Sequence, residues 1–325
     1  MVARLRRFEI SPLAFRRVTY VAFGALVAIV LTGAAVRLTG SGLGCPDWPR
    51  CYGKVAPPLQ VHALVEFSNR IFSGLVGVTA IGAALLGFFR KPFRRELAAL
   101  GILLPIGVVA QAVLGGLTVE SGLKPGYVMA HYVLSMMILD ASFALAWCAT
   151  YEPGERRRST DRVGTWAVRA LLPLGSATIL VGTAATASGP HAGASGTGEI
   201  VKRLDFRGAD TLSWVVQRHG ALAVLLGISV VAVVALLHRR AGDRRAVRPL
   251  VAVLGLMAAQ GVVGIVQYNA KLPTELVWVH VSLAVATWVA LLWSVGRAGR
   301  IAPAGEPALA PPAREAPPPL VGARS

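Results

Sequence analysis

The sequence predicts an all-α integral membrane protein whose eight transmembrane helices form two pseudo-symmetric four-helix bundles. Three observations support this fold class: long apolar segments almost free of charge, basic connections between them, and a repeat of the first half in the second. Hydrophobic residues make up 54% of the chain and charged residues only 15%, below the roughly 25% of soluble domains. A bilayer requires such segments, because a spanning helix needs about 20 mostly apolar residues.

Eight segments meet this requirement. They cover residues 18–36, 63–89, 97–117, 127–149, 166–187, 212–237, 249–268 and 274–296. No small-residue cleavage site follows the first segment, so we interpret it as a span and not as a signal peptide. The predicted organisation is a cytoplasmic segment (1–17), an N-terminal half (18–149), a cytoplasmic linker (150–165), a C-terminal half (166–296) and a disordered cytoplasmic tail rich in Pro and Ala (297–325).

The basic residues indicate the orientation of the chain. A formal net charge of +17 would suit a nucleic-acid-binding protein, but Lys and Arg form no patch interleaved with aromatic residues. They concentrate in the N-terminal segment, in alternate connections and in the C-terminal tail. The positive-inside rule places these regions in the cytoplasm and the long connections 37–62 and 188–211 outside. We therefore expect a multi-pass protein of the cell membrane with both termini cytoplasmic.

An internal repeat relates the two halves. Gln111 begins the segment Gln-Ala-Val-Leu-Gly-Gly, and Gln260 begins Gln-Gly-Val-Val-Gly-Ile. A histidine follows each glutamine by 20 residues, at His131 and His280. Four helices followed by four similar helices predict two bundles related by an axis along the membrane normal.

Four histidines lie near the outer ends of spans 2, 4, 6 and 8: His62, His131, His219 and His280. Ionisable residues inside a membrane are costly and usually functional. Two histidines on facing helices would supply both axial ligands of a heme iron. The heme sites would then lie toward the outer side of the membrane. The simpler alternative is that each ring bonds a neighbouring helix or lies among the headgroups, but four matched positions favour heme. The histidines of the second outer loop and of the third inner connection are not predicted as ligands, and no zinc-type spacing occurs.

Span 2 carries a polar stripe at helical spacing: His62, Glu66, Asn69, Arg70 and Ser73. Such a stripe on a membrane helix must face the bundle interior. Two compatible interpretations of Glu66 stay open. It either forms an ion pair with Arg70, or it places a carboxylate beside a heme edge, where it moves protons or stabilises a developing positive charge. Asp140 in span 4 faces away from His131 and has no assigned role.

Two of the three cysteines lie in the first outer loop, in the segment Gly44-Cys-Pro-Asp-Trp-Pro-Arg-Cys-Tyr. The oxidising outer side permits a disulfide between Cys45 and Cys51. The two prolines favour a tight loop that brings the thiols together, whereas two free thiols are the alternative. Cys148, near the inner end of span 4, has no predicted partner.

Three segments resemble the heme A synthases, a family of membrane enzymes. Val36-Arg-Leu-Thr-Gly-Ser-Gly-Leu-Gly-Cys-Pro-Asp-Trp-Pro-Arg-Cys is similar to their first outer loop. The segment Glu66-Phe-Ser-Asn-Arg-Ile resembles their span 2 motif, and Gly189-Pro-His-Ala-Gly resembles a motif of their long outer loop. The resemblance extends over residues 18–296.

The resemblance implies an oxidoreductase that converts a methyl group of heme O into the formyl group of heme A by successive hydroxylations, for use in terminal oxidases. It implies that Glu66 is the catalytic carboxylate and that His131 is a ligand of the substrate heme. His219 and His280 would be the axial ligands of a heme b cofactor, and the first-loop cysteines would form a disulfide. Expected partners are heme O synthase and terminal oxidase assembly factors.

One position departs from the family pattern. The family has a histidine three residues after the glutamate, where this sequence has Asn69. His62 lies two turns before Asn69 on the same helical face and is the candidate replacement ligand of the substrate heme. The helical rise places His62 about 10 Å away from Asn69 in depth.

Two other functions compete with this one. A diheme b-type protein that only transfers electrons across the membrane would need hemes at two depths, whereas the candidate ligands all lie toward the outer side. A transporter with a two-fold repeat would need helices broken at matching positions, whereas Pro105 and Pro173 do not match. We retain the heme A synthase as the prediction and the diheme electron carrier as the alternative.

Overall fold

The computed structural model describes residues 8–156, 158–240 and 244–302. These residues form eight long helices, each long and apolar enough to cross a membrane, which confirms the predicted fold class. The helices are α1 (Pro12–Leu38), α2 (Val61–Phe89), α3 (Arg95–Glu120), α4 (Pro125–Ala149), α5 (Arg162–Ser188), α6 (Thr211–Arg239), α7 (Val247–Asn269) and α8 (Thr274–Ala298).

Several helices begin before their apolar segments. α1 begins at Pro12 because the Ser11 hydroxyl accepts a hydrogen bond from the N–H of Ala14 at 3.3 Å, and proline suits the first helical position. α5 begins where the Asp161 carboxylate accepts from the N–H of Gly164 at 3.0 Å. Arginine is a good helix former, so a helix can extend through the arginines that precede its apolar segment. The capping side chain, and not the hydropathy, therefore determines where the helix begins.

Each set of four consecutive helices packs as a closed group. In the first bundle (α1–α4), α1 contacts α2 and α4, and α3 contacts the same two helices. The second bundle (α5–α8) has the same pattern of neighbours, with α5 against α6 and α8. Contacts of α1 with α8 and of α4 with α5 join the two groups. The rotation axis that would relate the bundles stays a prediction.

Short strands tie the chain together at the predicted inner side. Arg158–Ser159 (β1) pairs in parallel with Arg300–Ile301 (β2). The predicted linker 150–165 therefore contains a strand and the first turn of α5. Disorder was expected from residue 297, but this was wrong for the first residues, because α8 continues to Ala298 and β2 pairs its backbone groups. Residues 1–7 and 303–325 of the predicted terminal segments lie outside the described residues.

The apolar core lies mainly toward the helix ends on the predicted inner side. Its fully buried side chains include Phe15, Leu97, Leu145, Leu250 and Leu291. A small separate cluster at the outer end contains Cys45, Cys51 and Ala63. The large core holds the helices in register, and the polar side chains of interest project from the opposite, outer half.

Candidate functional site

The second bundle brings two histidine rings from different helices close together, in an edge-on arrangement. His219 on α6 and His280 on α8 have ring centroids 6.1 Å apart and planes inclined at 68°. The Nδ1 of His219 lies 3.0 Å from the carbonyl oxygen of Thr178 on α5. A carbonyl oxygen only accepts, so Nδ1 carries the proton and the lone pair of His219 is on Nε2. Such a bond from the other ring nitrogen is typical of metal-binding histidines.

Glycines provide the space for both rings. A Cβ atom on Gly182 of α5 would come within 2.9 Å of Cε1 of His219, and one on Gly264 of α7 would lie 3.3 Å from Cε1 of His280. The amide nitrogen of Gln260 lies 3.4 Å from Nε2 of His280. Larger side chains at the two glycines would displace the imidazoles.

This arrangement fits a heme better than an isolated metal ion. An imidazole nitrogen binds a metal at about 2 Å, so two rings that share one ion have centroids roughly 6 Å apart. Among the described residues, no group of three or more His, Cys, Asp or Glu side chains could hold an ion alone. A porphyrin supplies its own equatorial nitrogens and needs only two axial ligands. The buried Nδ1 of His280 also has no hydrogen-bond partner among the described residues.

The first bundle repeats half of this arrangement. A Cβ on Gly115 of α3 would lie 3.3 Å from Cε1 of His131 on α4, as for Gly264 and its histidine. The Gln111 amide donates to the carbonyl oxygen of His131 at 2.9 Å. The Nδ1 of His131 is buried and, within the described part of the chain, lacks a partner. The glycine–histidine contact is therefore repeated in both bundles, whereas the glutamines differ, because Gln111 bonds the backbone of its histidine and Gln260 lies against the ring.

The first bundle does not repeat the second ring. Asn69 on α2 has no imidazole, and its side-chain oxygen accepts a hydrogen bond from the hydroxyl of Thr32 on α1 at 2.8 Å. Gly33 of α1 corresponds to Gly182 by the offset that relates the two glutamines. A Cβ on Gly33 would meet no atom within 4 Å.

Glu66 is buried and bonded at both carboxylate oxygens. One oxygen accepts from the backbone N–H of Cys45 at 2.7 Å, and the other from the Arg70 guanidinium at 2.5 Å. Its exposed fraction is 6%. The ion pair expected from the sequence is present, and the same carboxylate is also attached to the first outer loop. Both interpretations of Glu66 thus remain compatible.

Arg70 holds the first outer loop through its backbone. Its guanidinium donates to the carbonyl oxygens of Cys45, Asp47 and Arg50 at 3.2, 3.0 and 2.9 Å. The structure contains the disulfide between Cys45 and Cys51, and both residues are fully buried. The loop therefore lies directly above Glu66 as a cross-linked unit.

Two further side chains define the shape of this loop. The Asp47 carboxylate accepts from the N–H groups of Tyr52 and Gly53 at 2.6 and 2.7 Å. The pKa of Asp47 lies below its usual value, mainly because of the hydrogen bond from Gly53. The bond from Tyr52 and the positive charge of Arg70 lower it further. Trp48 packs on α3, where a Cβ on Gly116 would come within 3.0 Å of the indole ring. The loop thereby reaches the residue next to the glycine that faces His131.

Residues 16–292 match the model of the COX15-CtaA family, described as cytochrome oxidase assembly protein. The match covers most of the chain and includes every residue of both candidate sites. The chain belongs to this family. Membership agrees with a multi-pass membrane protein.

Curated relatives carry the name heme A synthase. The chain is 34% identical over 142 residues to the protein of Alkalihalophilus pseudofirmus, which covers 43% of this chain and 47% of that protein. It is 30% identical over 136 residues to that of Bacillus licheniformis (42% and 45%) and 35% identical over 129 residues to that of Bacillus mycoides (39% and 41%). The matched segment spans less than half the length of these relatives.

In this family member, His62 lies between the two outer loops. Its Nδ1 lies 2.9 Å from the hydroxyl oxygen of Ser41 in the first loop. Its ring packs on Gly196 of the second loop, where a Cβ would come within 2.1 Å of Cε1. These contacts are those of a side chain that holds two loops together. The assignment of His62 as a substrate-heme ligand stays a prediction without support from its contacts.

The remaining histidines have local partners. His191 donates from Nε2 to the carbonyl oxygen of Leu272 at 2.7 Å and so joins the second outer loop to the α7–α8 connection. His238 is exposed near the inner end of α6 and bonds the carbonyl oxygen of Val234 on its own helix. Both contacts agree with the expectation that neither ring is a heme ligand.

Sequence reasoning missed the contact between the bundles. The indole N–H of Trp288 on α8 donates to the Asp140 carboxylate on α4 at 2.6 Å. Asp140 therefore has a structural partner that no spacing rule indicated. Sequence reasoning also missed the glycines that face the histidine rings. Gly115 and Gly264 occupy the same position after each glutamine, so a search of the repeat would have found them.

Proposed function

We propose that this protein is a heme A synthase, which oxidises a methyl group of heme O to the formyl group of heme A for a terminal oxidase. The observation that carries the proposal is the buried Glu66 carboxylate, fixed by two hydrogen bonds in the same bundle as His131. The second bundle adds a separate pair of facing imidazoles. The curated relatives named heme A synthase support this assignment.

The second bundle is proposed to bind a heme b through His219 and His280. A heme in this position supplies one-electron transfer. The bond from His219 to Thr178 and the packing of Gly264 on His280 orient the two ligands in advance. An apolar bundle around them excludes water and holds the macrocycle.

The first bundle is proposed to bind the substrate heme O, with His131 as ligand. Each hydroxylation exchanges a C–H bond of the methyl group for a C–O bond to an oxygen atom taken from water. Two protons are released, and an electron pair passes to an acceptor outside the bundle. The second hydroxylation yields a carbon with two hydroxyl groups, which loses water to give the aldehyde. Positive charge develops on the methyl carbon as electrons leave it.

Glu66 is proposed to stabilise this developing positive charge. A fixed carboxylate stabilises a developing cation without reorganisation, and it accepts the proton that leaves with the C–H bond. Arg70 and the N–H of Cys45 prevent the carboxylate from turning away. The disulfide loop, with Trp48 against α3, covers the same end of the bundle.

Both sites are proposed to lie toward the outer side of the membrane, with both termini cytoplasmic. The excess of Lys and Arg in the inner connections supports this orientation. Heme O is proposed to reach the first bundle from a heme O synthase, and heme A to pass to oxidase assembly factors. The family description, cytochrome oxidase assembly protein, supports a role in oxidase assembly.

The test is the identity of the hemes. Cells that express the protein with a source of heme O should accumulate heme A, detected by chromatography of extracted hemes. Heme O alone, in cells whose purified protein still carries low-spin heme, would refute the synthase and favour the diheme electron carrier.

A further inference from the structure

The second bundle shows how α5 accommodates a ligand ring. Val168, Leu171, Gly175 and Thr178 are buried on one face of α5, and Gly182 continues that face one turn later. The His219 ring packs there so closely that a Cβ on Gly182 would be 2.9 Å away. The interior beside Gly182 is therefore filled by an imidazole.

The corresponding interior of the first bundle is open. Phe15, Thr19, Ala22, Leu26 and Val30 form the buried face of α1. The next position on this face, at helical spacing, is Gly33. A Cβ on Gly33 would nevertheless meet no atom within 4 Å. Two equivalent glycines thus face a ring in one bundle and open space in the other.

Asn69 accounts for this difference. It has a shorter side chain than histidine, and its oxygen accepts from Thr32 at 2.8 Å, which draws it against α1. Within the described part of the chain the amide NH2 of Asn69 makes no hydrogen bond, so the donor end stays available. A neutral amide is outside the usual set of heme ligands, which are His, Cys, Met and Tyr.

Neighbouring residues of α2 do not replace the missing imidazole. His62 is engaged by Ser41 and packs on Gly196 in the outer loops. Arg70 is committed to Glu66 and to three loop carbonyls. Neither side chain points its functional atoms at the space beside Gly33.

We infer that the first bundle holds its heme iron from one side only, through His131, and that the opposite axial position beside Asn69 and Gly33 binds a small diatomic ligand. The inference rests on the proposed function for the presence of a heme on His131. The second bundle, with two imidazoles, does not bind such a ligand. The Asn69 amide supplies a hydrogen-bond donor beside the open position, as polar distal residues do in other heme pockets.

Carbon monoxide added to the reduced, heme-loaded full-length protein tests this asymmetry. Optical spectra of the reduced wild type should show one heme that binds carbon monoxide and one low-spin heme that does not. Electron paramagnetic resonance spectra of the oxidised protein should show one high-spin and one low-spin heme. Asn69→His should convert the first heme to low spin and abolish carbon monoxide binding. His131→Ala should remove the heme that bound it in the wild type.

His62→Ala is the matched control and should leave the carbon monoxide-binding fraction unchanged. The inference is overturned if the wild type is wholly low-spin and inert to carbon monoxide, if His62→Ala creates new binding, or if no bound heme depends on His131. These readouts are independent of formyl production. Heme A formation without carbon monoxide binding would refute the inference alone, whereas binding without heme A formation would refute the proposed function alone.

Discussion

Replacing Glu66 by glutamine separates a catalytic carboxylate from a structural one. Glutamine keeps the size of the side chain but has one acceptor oxygen in place of two. In the structure both oxygens of Glu66 accept, from Cys45 and from Arg70. The new NH2 group must therefore face a donor, and one of the two bonds is lost.

The expected magnitudes follow from these two bonds. Loss of a buried hydrogen bond to a charged group costs about 1.5–3 kcal/mol of folding stability. Removing a fixed charge that stabilises a transition state slows turnover by about 10²–10³-fold. We expect Glu66→Gln to retain bound heme with reduced thermal stability, and to accumulate heme O or a hydroxylated intermediate.

The assay is chromatography of extracted hemes, normalised to folded protein from size-exclusion chromatography. Glu275→Gln is the matched control, because Glu275 is an exposed carboxylate at the outer end of α8, and it should behave as wild type. Normal heme A yield per folded molecule of Glu66→Gln would refute the catalytic role. That result would leave Glu66 as the partner of Arg70 and of the disulfide loop.

Three further predictions concern the other parts of the molecule. His219→Ala should lose the heme of the second bundle, seen as a lower total heme content in the pyridine hemochrome assay, whereas the exposed control His238→Ala should keep the wild-type content; equal heme content would contradict the ligand assignment. Alkylation without reductant, read by mass spectrometry, should leave both loop cysteines unlabelled, and full labelling would disprove the disulfide. Asp140→Leu and Trp288→Phe should each lower stability by about 1–3 kcal/mol, because each removes one partner of the same hydrogen bond. The double variant should lose less than the sum of the two; additive losses would mean that the two side chains do not interact across the bundles.

Hydropathy and charge were sufficient to predict the helices. The bilayer allows few backbone structures, since every N–H and C=O in its apolar interior must be bonded within the protein. Apolar segments of sufficient length therefore identify spanning helices. The helix ends were less predictable, because caps such as Ser11 and Asp161 and helix-forming arginines lie outside the apolar segments.

The sequence by itself determined the elements and the residue types: eight spans, the Gln–His repeat, a glutamate beside an arginine, and asparagine where a second ligand was expected. Only the tertiary structure decided which groups meet. It brought Glu66 under the disulfide loop, Trp288 to Asp140, and His62 between two outer loops. These contacts join residues on different helices and loops, so they depend on how the helices pack and rotate against one another. The periodicity within a single helix carries no information about that rotation between helices.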